Sequence, residues 1–252
     1  MLLDAKDLIE EYKSDLLSRR QLLSYQPVLA LVWIGEDKQT ESFINAKIKL
    51  AKLLDCQLKV HHLLKAEEMQ VEALIQTLNN NKEIKGLVLQ LPMIGDLNTN
   101  RLINFIDPLK DVDNLTGKTT FPDPTPSAIL RLLEYYKYEL KNIVILGSGR
   151  LVGKPLSDIL NKKGIAHDIV KEKAEEKSDF IKNHDILISA TGKNIVNAEM
   201  VNENMVVIDA SGVDVDSKTI EPLVKSVTPS KGVIGPLTVC ELFDNLLTAC
   251  GV

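Results

Sequence analysis

Lys47 stands where a charge needs a chemical reason. It lies in "SFINAKIKLAKLL", residues 42–54, which has the apolar spacing of an amphipathic helix. At about 100° per residue, Phe43, Ile44, Ala46, Ile48, Leu50, Ala51, Leu53 and Leu54 share one broad apolar side, while Asn45, Lys49 and Lys52 take the other. Lys47 falls roughly 40° from Phe43, inside the apolar side. Burial disfavours the charged form of an ammonium and moves its pKa toward neutrality, where general acid–base chemistry is most effective. On helix geometry alone, a lysine snorkelling from the rim of a core helix fits the same pattern.

A second group of residues is suited to phosphate. "NIVILGSGRLVGKP" sets Gly147, Gly149 and Gly153 directly after an apolar strand and at the opening of a helix. Glycines there allow a tight turn and close backbone approach, and the helix N-terminus offers N–H donors. The spacing is G-x-G-x-x-x-G, one residue longer than the common dinucleotide fingerprint. At the end of the next strand, in "HDIVKEK", Glu172 suits a ribose 2′-hydroxyl and so NAD. Lys171 and Lys173 suit a 2′-phosphate and so NADP; the mixed signs leave both open.

The elements that must position these groups alternate in period. A helical opening (about residues 3–18) precedes the buried strand "VLALVWI" (28–34). The Lys47 helix, a strand at "QLKVHHL", a helix around 67–80, the strand "KGLVLQLP" and a short helix near 98–106 follow. Residues 107–126, rich in Pro and Asp, break the rhythm as an interdomain crossing. A helix over about 126–138 leads to "NIVILGSG", a helix from about 152, "HDIV", a helix near 174–183, "DILISA", "MVVIDA" and a C-terminal helix. Near-continuous apolar strands alternating with helices imply parallel α/β sheets. The 252 residues suffice for two such units.

Composition narrows the function classes. A net charge of −5 provides no basic field for nucleic acid, and no apolar run is long enough to span a bilayer. The N-terminus has no signal-peptide core, so a cytoplasmic location is expected. The three cysteines, Cys56, Cys240 and Cys250, lack metal-ligand spacing. His61 and His62 adjoin on a strand and face opposite ways, so no metal is expected. His167 and His184 are isolated, and surface or capping roles are expected for them.

Taken in order, the motifs resemble those of the methylenetetrahydrofolate dehydrogenase/cyclohydrolase family over almost the whole chain. "SFINAKIKLAKLL" resembles the family's Y-x-x-x-K helix, "GLVLQLP" its V-Q-L-P strand end and "KDVDN" its K-D-V-D-G. "DPTP" loosely matches P-C-T-P, and "GSGRLVGKP" resembles G-R-S-x-x-V-G-x-P. "SATGK" and "VIDASG" fit the following strands, and "TPSKGVIGPLT" resembles T-P-V-P-G-G-V-G-P-M-T.

The resemblance implies an N-terminal α/β substrate domain (1–124 with 237–252) and a Rossmann-type parallel-sheet cofactor domain (125–236), with the C-terminal helix returning to the first. It implies oxidation of methylenetetrahydrofolate with NADP, or NAD, and hydrolysis of the methenyl product. Lys47 becomes a proton-transfer group, Gln90 its orienting partner and Asp113 an acceptor for the pterin's donor edge. Phe43, Gly232 and Pro236 fall at the folate. Gly147, Ser148, Gly149, Arg150, Gly153, Lys171, Lys173, Thr191 and Gly192 fall at the cofactor. A homodimer through the cofactor domain is also implied.

Departures accompany the matches. Phe43 replaces the family tyrosine and brings no hydroxyl, which weakens the hydrolytic step in particular. Ser148 and Gly149 replace the family's arginine and serine. Val233 replaces a glycine, where a β-branched residue would narrow the folate cleft or resist a left-handed backbone. The rival readings are a Rossmann dehydrogenase of another small substrate and a catalytically silent relative that binds folate or a partner.

Overall fold

The computed structural model describes residues 1–252. In chain order its elements are α1 (Lys6–Arg20), β1 (Val28–Ile34), α2 (Lys38–Leu53), β2 (Gln57–Leu63), α3 (Glu68–Asn80), β3 (Ile84–Leu89) and α4 (Thr99–Ile103). After the crossing come α5 (Pro124–Tyr135), β4 (Ile143–Leu146), α6 (Gly153–Lys162), β5 (His167–Val170), α7 (Ser178–Lys182), β6 (Ile186–Ser189), β7 (Val206–Asp209), α8 (Ser217–Ile220), β8 (Ser226–Val227) and α9 (Ile234–Ala249). The chain divides into two compact units. One comprises Glu11–Pro124 with Val239–Val252, the other Met1–Glu10 with Thr125–Thr238.

The first unit is built on a parallel sheet in the order β2-β1-β3. Central β1 is apolar on both faces, and all of its residues but Trp33 are buried, as a covered parallel strand requires. Edge strand β2 alternates between exposed and half-buried positions. Helix α2 begins upstream of the expected start because Asp37 caps it, accepting a hydrogen bond from the Thr40 amide at 2.7 Å. Its buried stripe is Thr40, Ile44, Lys47, Leu50 and Ala51. Two residues of the expected apolar side are exposed, Ile48 at 42% and Leu53 at 51%.

The segment Lys110–Asp113 is tied into this unit residue by residue. The Lys110 ammonium donates to the carbonyls of Leu78 (3.1 Å), Asn79 and Asn81 (2.7 Å), closing the C-terminal end of α3. Asp111 is fully buried and accepts from the Leu115 amide (3.0 Å), the Thr116 amide (2.8 Å) and the Thr116 hydroxyl (2.6 Å). Val112 packs into the core beside Gly86 of β3, where an added Cβ would lie 2.9 Å from Val112 Cγ2 and 2.8 Å from Leu29 Cδ1. That close approach requires glycine. The C-terminal part of α9 is anchored to α1: Asp244 accepts from Tyr12 Oη and Arg19 Nη1, each at 2.6 Å.

The second unit carries a five-stranded parallel sheet in the order β5-β4-β6-β7-β8. The two-residue strand β8 is too short to show in the sequence pattern. The chain's first residues pair with it, Leu3 N donating to Val227 O (2.9 Å) and Val227 N to Met1 O (3.0 Å). Tyr136 Oη adds a 2.6 Å bond to Asp4 O. These bonds place residues 1–10 with the second unit, not with the first as expected from the sequence. The division near the C-terminus falls after Thr238, two residues later than expected. The helix expected near 174–183 resolves into a 3-10 turn, Glu175–Lys177, followed by α7. His184 is buried against the end of α7, its Nδ1 3.0 Å from Phe180 O and its Nε2 3.1 Å from Asp168 Oδ2.

Candidate active site

Lys47 is 6% exposed, and its ammonium donates to Gln90 Oε1 at 2.8 Å. Gln90 directly follows β3. Its backbone amide donates to Val32 O at 2.8 Å, and its side-chain Nε2 donates to Leu91 O at 3.0 Å. The second bond uses the amide's donor end and leaves Oε1 facing the lysine, so the glutamine is oriented before any ligand arrives. Burial holds the Lys47 pKa below its ordinary value, opposed by the charge of Asp113. Asp113 is pushed up to about 6, first by burial and then by Asp111 and Asp123, with Lys47 pulling the other way. The fold therefore brings Lys47, Gln90 and Asp113 together from α2, the end of β3 and the following crossing. Phe43 lies one helical turn before Lys47 and is half-buried.

Such a cluster contains a poised amine, a fixed acceptor and a carboxyl group that titrates near neutrality. It is fitted to moving protons on a bound organic substrate. The sequence pattern around Lys47 announced its burial. Nothing in that pattern announced Lys110, Asp111 and Gly86, which hold Asp113 in place; Asp111 is committed to its own loop by three hydrogen bonds.

In the second unit the glycine turn joins β4 to α6. Gly147 has φ +91°, and an added Cβ would lie 2.8 Å from Ala190 O. At Gly153 a Cβ would lie 2.0 Å from Gly147 O, a contact no side chain survives. Gly149 differs, since nothing lies within 4 Å of its would-be Cβ. Two glycines thus allow the turn to fold on itself, and the third leaves open space along it. The turn sits where the sheet order reverses direction, between β4 and β6, the crevice in which α/β sheets receive ligands. The Gly147 amide is used by Val170 O (2.9 Å), while the Ser148 and Gly149 amides have no protein partner and are available to phosphate. Ser148, Gly149 and Arg150 are all exposed. The site therefore fits a dinucleotide.

Lys171, Glu172 and Lys173 follow β5 as exposed side chains, and Lys173 is occupied by Glu176 Oε1 at 3.0 Å. Thr191 and Gly192 follow β6 in a loop gathered by Asp214, a residue the motif reading passed over. Fully buried, Asp214 accepts from Ser189 Oγ (2.5 Å), Thr191 N (2.6 Å), Thr191 Oγ1 (2.9 Å), Lys193 N (3.0 Å) and the Ser211 hydroxyl. Asp209 does the same after β7, accepting from Gly212 N at 2.7 Å and Val215 N at 3.1 Å. Their only signal in the sequence was an aspartate at a strand end or in a short Gly/Ser stretch.

Gly232 is exposed with φ +92°, and Pro236 lies in the first turn of α9; both belong to the second unit. Val233 does not adopt the left-handed backbone considered for it. The left-handed conformation falls on Gly232, and the Val233 side chain is 97% removed from solvent at the start of α9 (3% exposed).

Two parallel α/β units, one with a glycine turn at its switch point and the other with a buried lysine cluster, define a dinucleotide-dependent enzyme class. The family comparison agrees. The model for the "Tetrahydrofolate dehydrogenase/cyclohydrolase, catalytic domain" matches residues 3–113, and that for the "Tetrahydrofolate dehydrogenase/cyclohydrolase, NAD(P)-binding domain" matches residues 123–251. The "Bifunctional protein FolD" of Thermodesulfovibrio yellowstonii is 34% identical, with 98% of this chain and 96% of that protein covered. The bifunctional FolD methylenetetrahydrofolate dehydrogenase/cyclohydrolase of Campylobacter jejuni superposes with a TM-score of 0.89 at 26% identity, covering 100% and 98% of the two chains. The FolD of Trypanosoma brucei, solved with NADP and an inhibitor, shares the fold at a TM-score of 0.92 and 22% identity, covering 99% and 96%. The chain belongs to the tetrahydrofolate dehydrogenase/cyclohydrolase family.

Proposed function

We propose that this chain oxidises 5,10-methylenetetrahydrofolate to the methenyl form with NAD(P) and hydrolyses that product to 10-formyltetrahydrofolate. The observation that carries the reading is the buried Lys47 ammonium, held at 2.8 Å by a glutamine already fixed by its own second bond. The first unit supplies the folate side and the second the dinucleotide side. When bound, the nicotinamide accepts the hydride that leaves the methylene carbon. Hydride transfer asks the protein mainly for positioning, which Asp113, accepting from the pterin's donor edge, and Phe43, lying against the folate ring, provide.

Hydrolysis needs proton movement. A neutral Lys47 amine takes a proton from the water that attacks the methenyl carbon. The resulting ammonium returns a proton to the ring nitrogen as its bond to that carbon breaks, and the carbinol proton leaves to solvent. One proton is released per turnover, and Gln90 keeps the amine aimed throughout. With phenylalanine at position 43, no hydroxyl assists the water, so hydrolysis is slower than oxidation.

On the dinucleotide side, the turn amides of 147–153 bind pyrophosphate and the Thr191–Gly192 loop borders it. Lys171, free of the ion pair that occupies Lys173, meets a 2′-phosphate and favours NADP; Glu172 beside it leaves NAD a usable alternative. A homodimer and a cytoplasmic location complete the proposal; no helix is long and apolar enough to cross a membrane.

The test is a paired assay of the purified protein with methylenetetrahydrofolate and either NADP or NAD, following reduced cofactor and methenyl absorbance. Reduction with transient methenyl accumulation is expected. Phe43→Tyr is expected to raise hydrolysis relative to oxidation several-fold, within the range of a general acid–base contribution (~10²). Folded protein that reduces neither cofactor overturns the proposal.

A further inference from the structure

Asp214 organises the loop after β6 from both ends. Its fully buried side chain accepts from Thr191 N at 2.6 Å and Thr191 Oγ1 at 2.9 Å on one oxygen, and from Lys193 N at 3.0 Å on the other. Its backbone carbonyl accepts from Ile195 N and Val196 N, each at 3.1 Å. One residue thus takes every amide from Thr191 to Val196 except those of Gly192 and Asn194, which have no protein partner. Gly192 is exposed with φ +70°, and nothing lies within 4 Å of its would-be Cβ, so the unclaimed stretch has open space beside it.

Asp214 is itself preset. The residues on either side of it are tied down, Val213 N donating to Ser211 Oγ at 3.1 Å and Val215 N to Asp209 Oδ2 at 3.1 Å. The Ser211 hydroxyl donates to Asp214 Oδ1 and the Ser211 amide to Asp209 Oδ1 at 3.0 Å, which joins the two buried aspartates. A carboxylate, with two accepting oxygens and no donor, is the one side chain of this length that receives all of these bonds. The braced loop also touches the glycine turn. Ala190 N donates to Leu146 O at 2.9 Å, directly before Gly147, and the would-be Cβ of Gly147 lies 2.8 Å from Ala190 O and 3.4 Å from Thr191 Cγ2. A shift of residues 190–191 therefore either opens a gap beside the turn or strikes it.

We infer that Asp214 is a positioning residue of the dinucleotide side, holding the 191–196 loop in the shape that keeps the glycine turn packed and presents the Gly192 amide to the dinucleotide. The inference rests on the function proposed above and deepens it. Fully buried, Asp214 reaches the dinucleotide only through the loop. Binding to a loop already in place costs less ordering than binding to a mobile one, so loss of the brace weakens dinucleotide binding and leaves the chemistry intact.

The experiment measures NADP and NAD affinity by calorimetry on wild type, Asp214→Asn, Asp214→Ala and Ser211→Ala. On the same proteins it reads KM and kcat for the dinucleotide and for methylenetetrahydrofolate. Asp214→Asn keeps the shape and the acceptor for Thr191 but sets an NH2 group opposite Lys193 N, so dinucleotide Kd and KM rise about five- to tenfold. Asp214→Ala releases both ends and raises them about thirtyfold or more, while kcat at saturation and the methylenetetrahydrofolate KM stay within about twofold in both variants. Ser211→Ala leaves the Asp214 bonds to the loop in place and changes binding by about twofold at most. Should Asp214→Ala not fold, the two milder variants decide. An Asp214→Asn variant with a lowered unfolding midpoint and wild-type dinucleotide affinity overturns the inference, because a merely structural aspartate gives that result. So does a fall in kcat with an unchanged dinucleotide KM, or a Ser211→Ala loss as large as that of Asp214→Asn. Wild type that binds neither NADP nor NAD overturns the proposed function itself; dinucleotide binding untouched by Asp214→Asn sinks this inference alone.

Discussion

Around Lys47 the working groups are side chains, a buried lysine beside the half-buried Gln90 and Asp113; in the 147–153 turn they are backbone amides, and side chains are what the fold must keep away. In the first region burial sets the chemistry. The Lys47 pKa is lowered and that of Asp113 raised to about 6, with burial the first cause of each. In the second region steric closeness decides, with Gly153 lying where any Cβ would strike Gly147 O. A lysine cluster can therefore lose its chemistry while keeping its shape, whereas a glycine turn loses its shape first and its binding as a consequence.

The sharpest test of that contrast is Lys47→Met. It should lower hydrolysis by about 10²- to 10⁴-fold in the cyclohydrolase assay. The unfolding midpoint should change little, since relief of a desolvated ammonium offsets the donor lost to Gln90 Oε1. A large loss of stability would mean that the ammonium is structural, and the two regions would not differ as described.

In the turn the opposite is expected. Gly153→Ala should cost about 1–3 kcal/mol of stability in denaturant titration and raise the dinucleotide KM about tenfold or more. Gly149→Ala, with open space around its Cβ, should stay within about 0.5 kcal/mol of wild type.

A pH series sharpens the electrostatic half. The Asp113 pKa in the folded chain is raised to about 6 from its ordinary 3.8, so between those values the native state holds a proton the unfolded chain has lost. Stability from this group is thus present at low pH and is lost as pH rises through the window. The unfolding free energy of Asp113→Asn, relative to wild type, should accordingly climb in the variant's favour from about pH 4 to about pH 6. The slope should be at most about 1.4 kcal/mol per pH unit and flat above the window.

The smallest effect is expected at Lys171. Lys171→Ala should weaken NADP about three- to tenfold, as loss of one exposed charge contact allows, and leave NAD nearly unchanged in matched KM measurements.

The strands were legible to the degree that they carry their own signal. The continuous run 28–34 became β1 with the expected ends, because a strand covered on both faces must be apolar throughout. β8 was not legible: two residues hold no period, and besides β7 they pair with Met1 and Leu3, at the far end of the chain. The same division runs through the site. Lys47 declared itself by its angle on a helix, a local property. Gln90 and Asp113 were found by family resemblance, since a polar strand end and a loop aspartate have many other uses.

The sequence by itself determined which groups are available and which must be hidden: a lysine on an apolar face, glycines after an apolar strand and two series of alternating elements. Only the tertiary structure showed that Asp111 is committed to its loop by bonds to Leu115 and Thr116. It also decided that Asn245 binds a carbonyl 133 residues earlier and that the first ten residues group with the second unit. The physical reason is range. Periodicity and turn chemistry act within a few residues, while hydrogen bonds and desolvation depend on what the completed fold brings within about 3 Å.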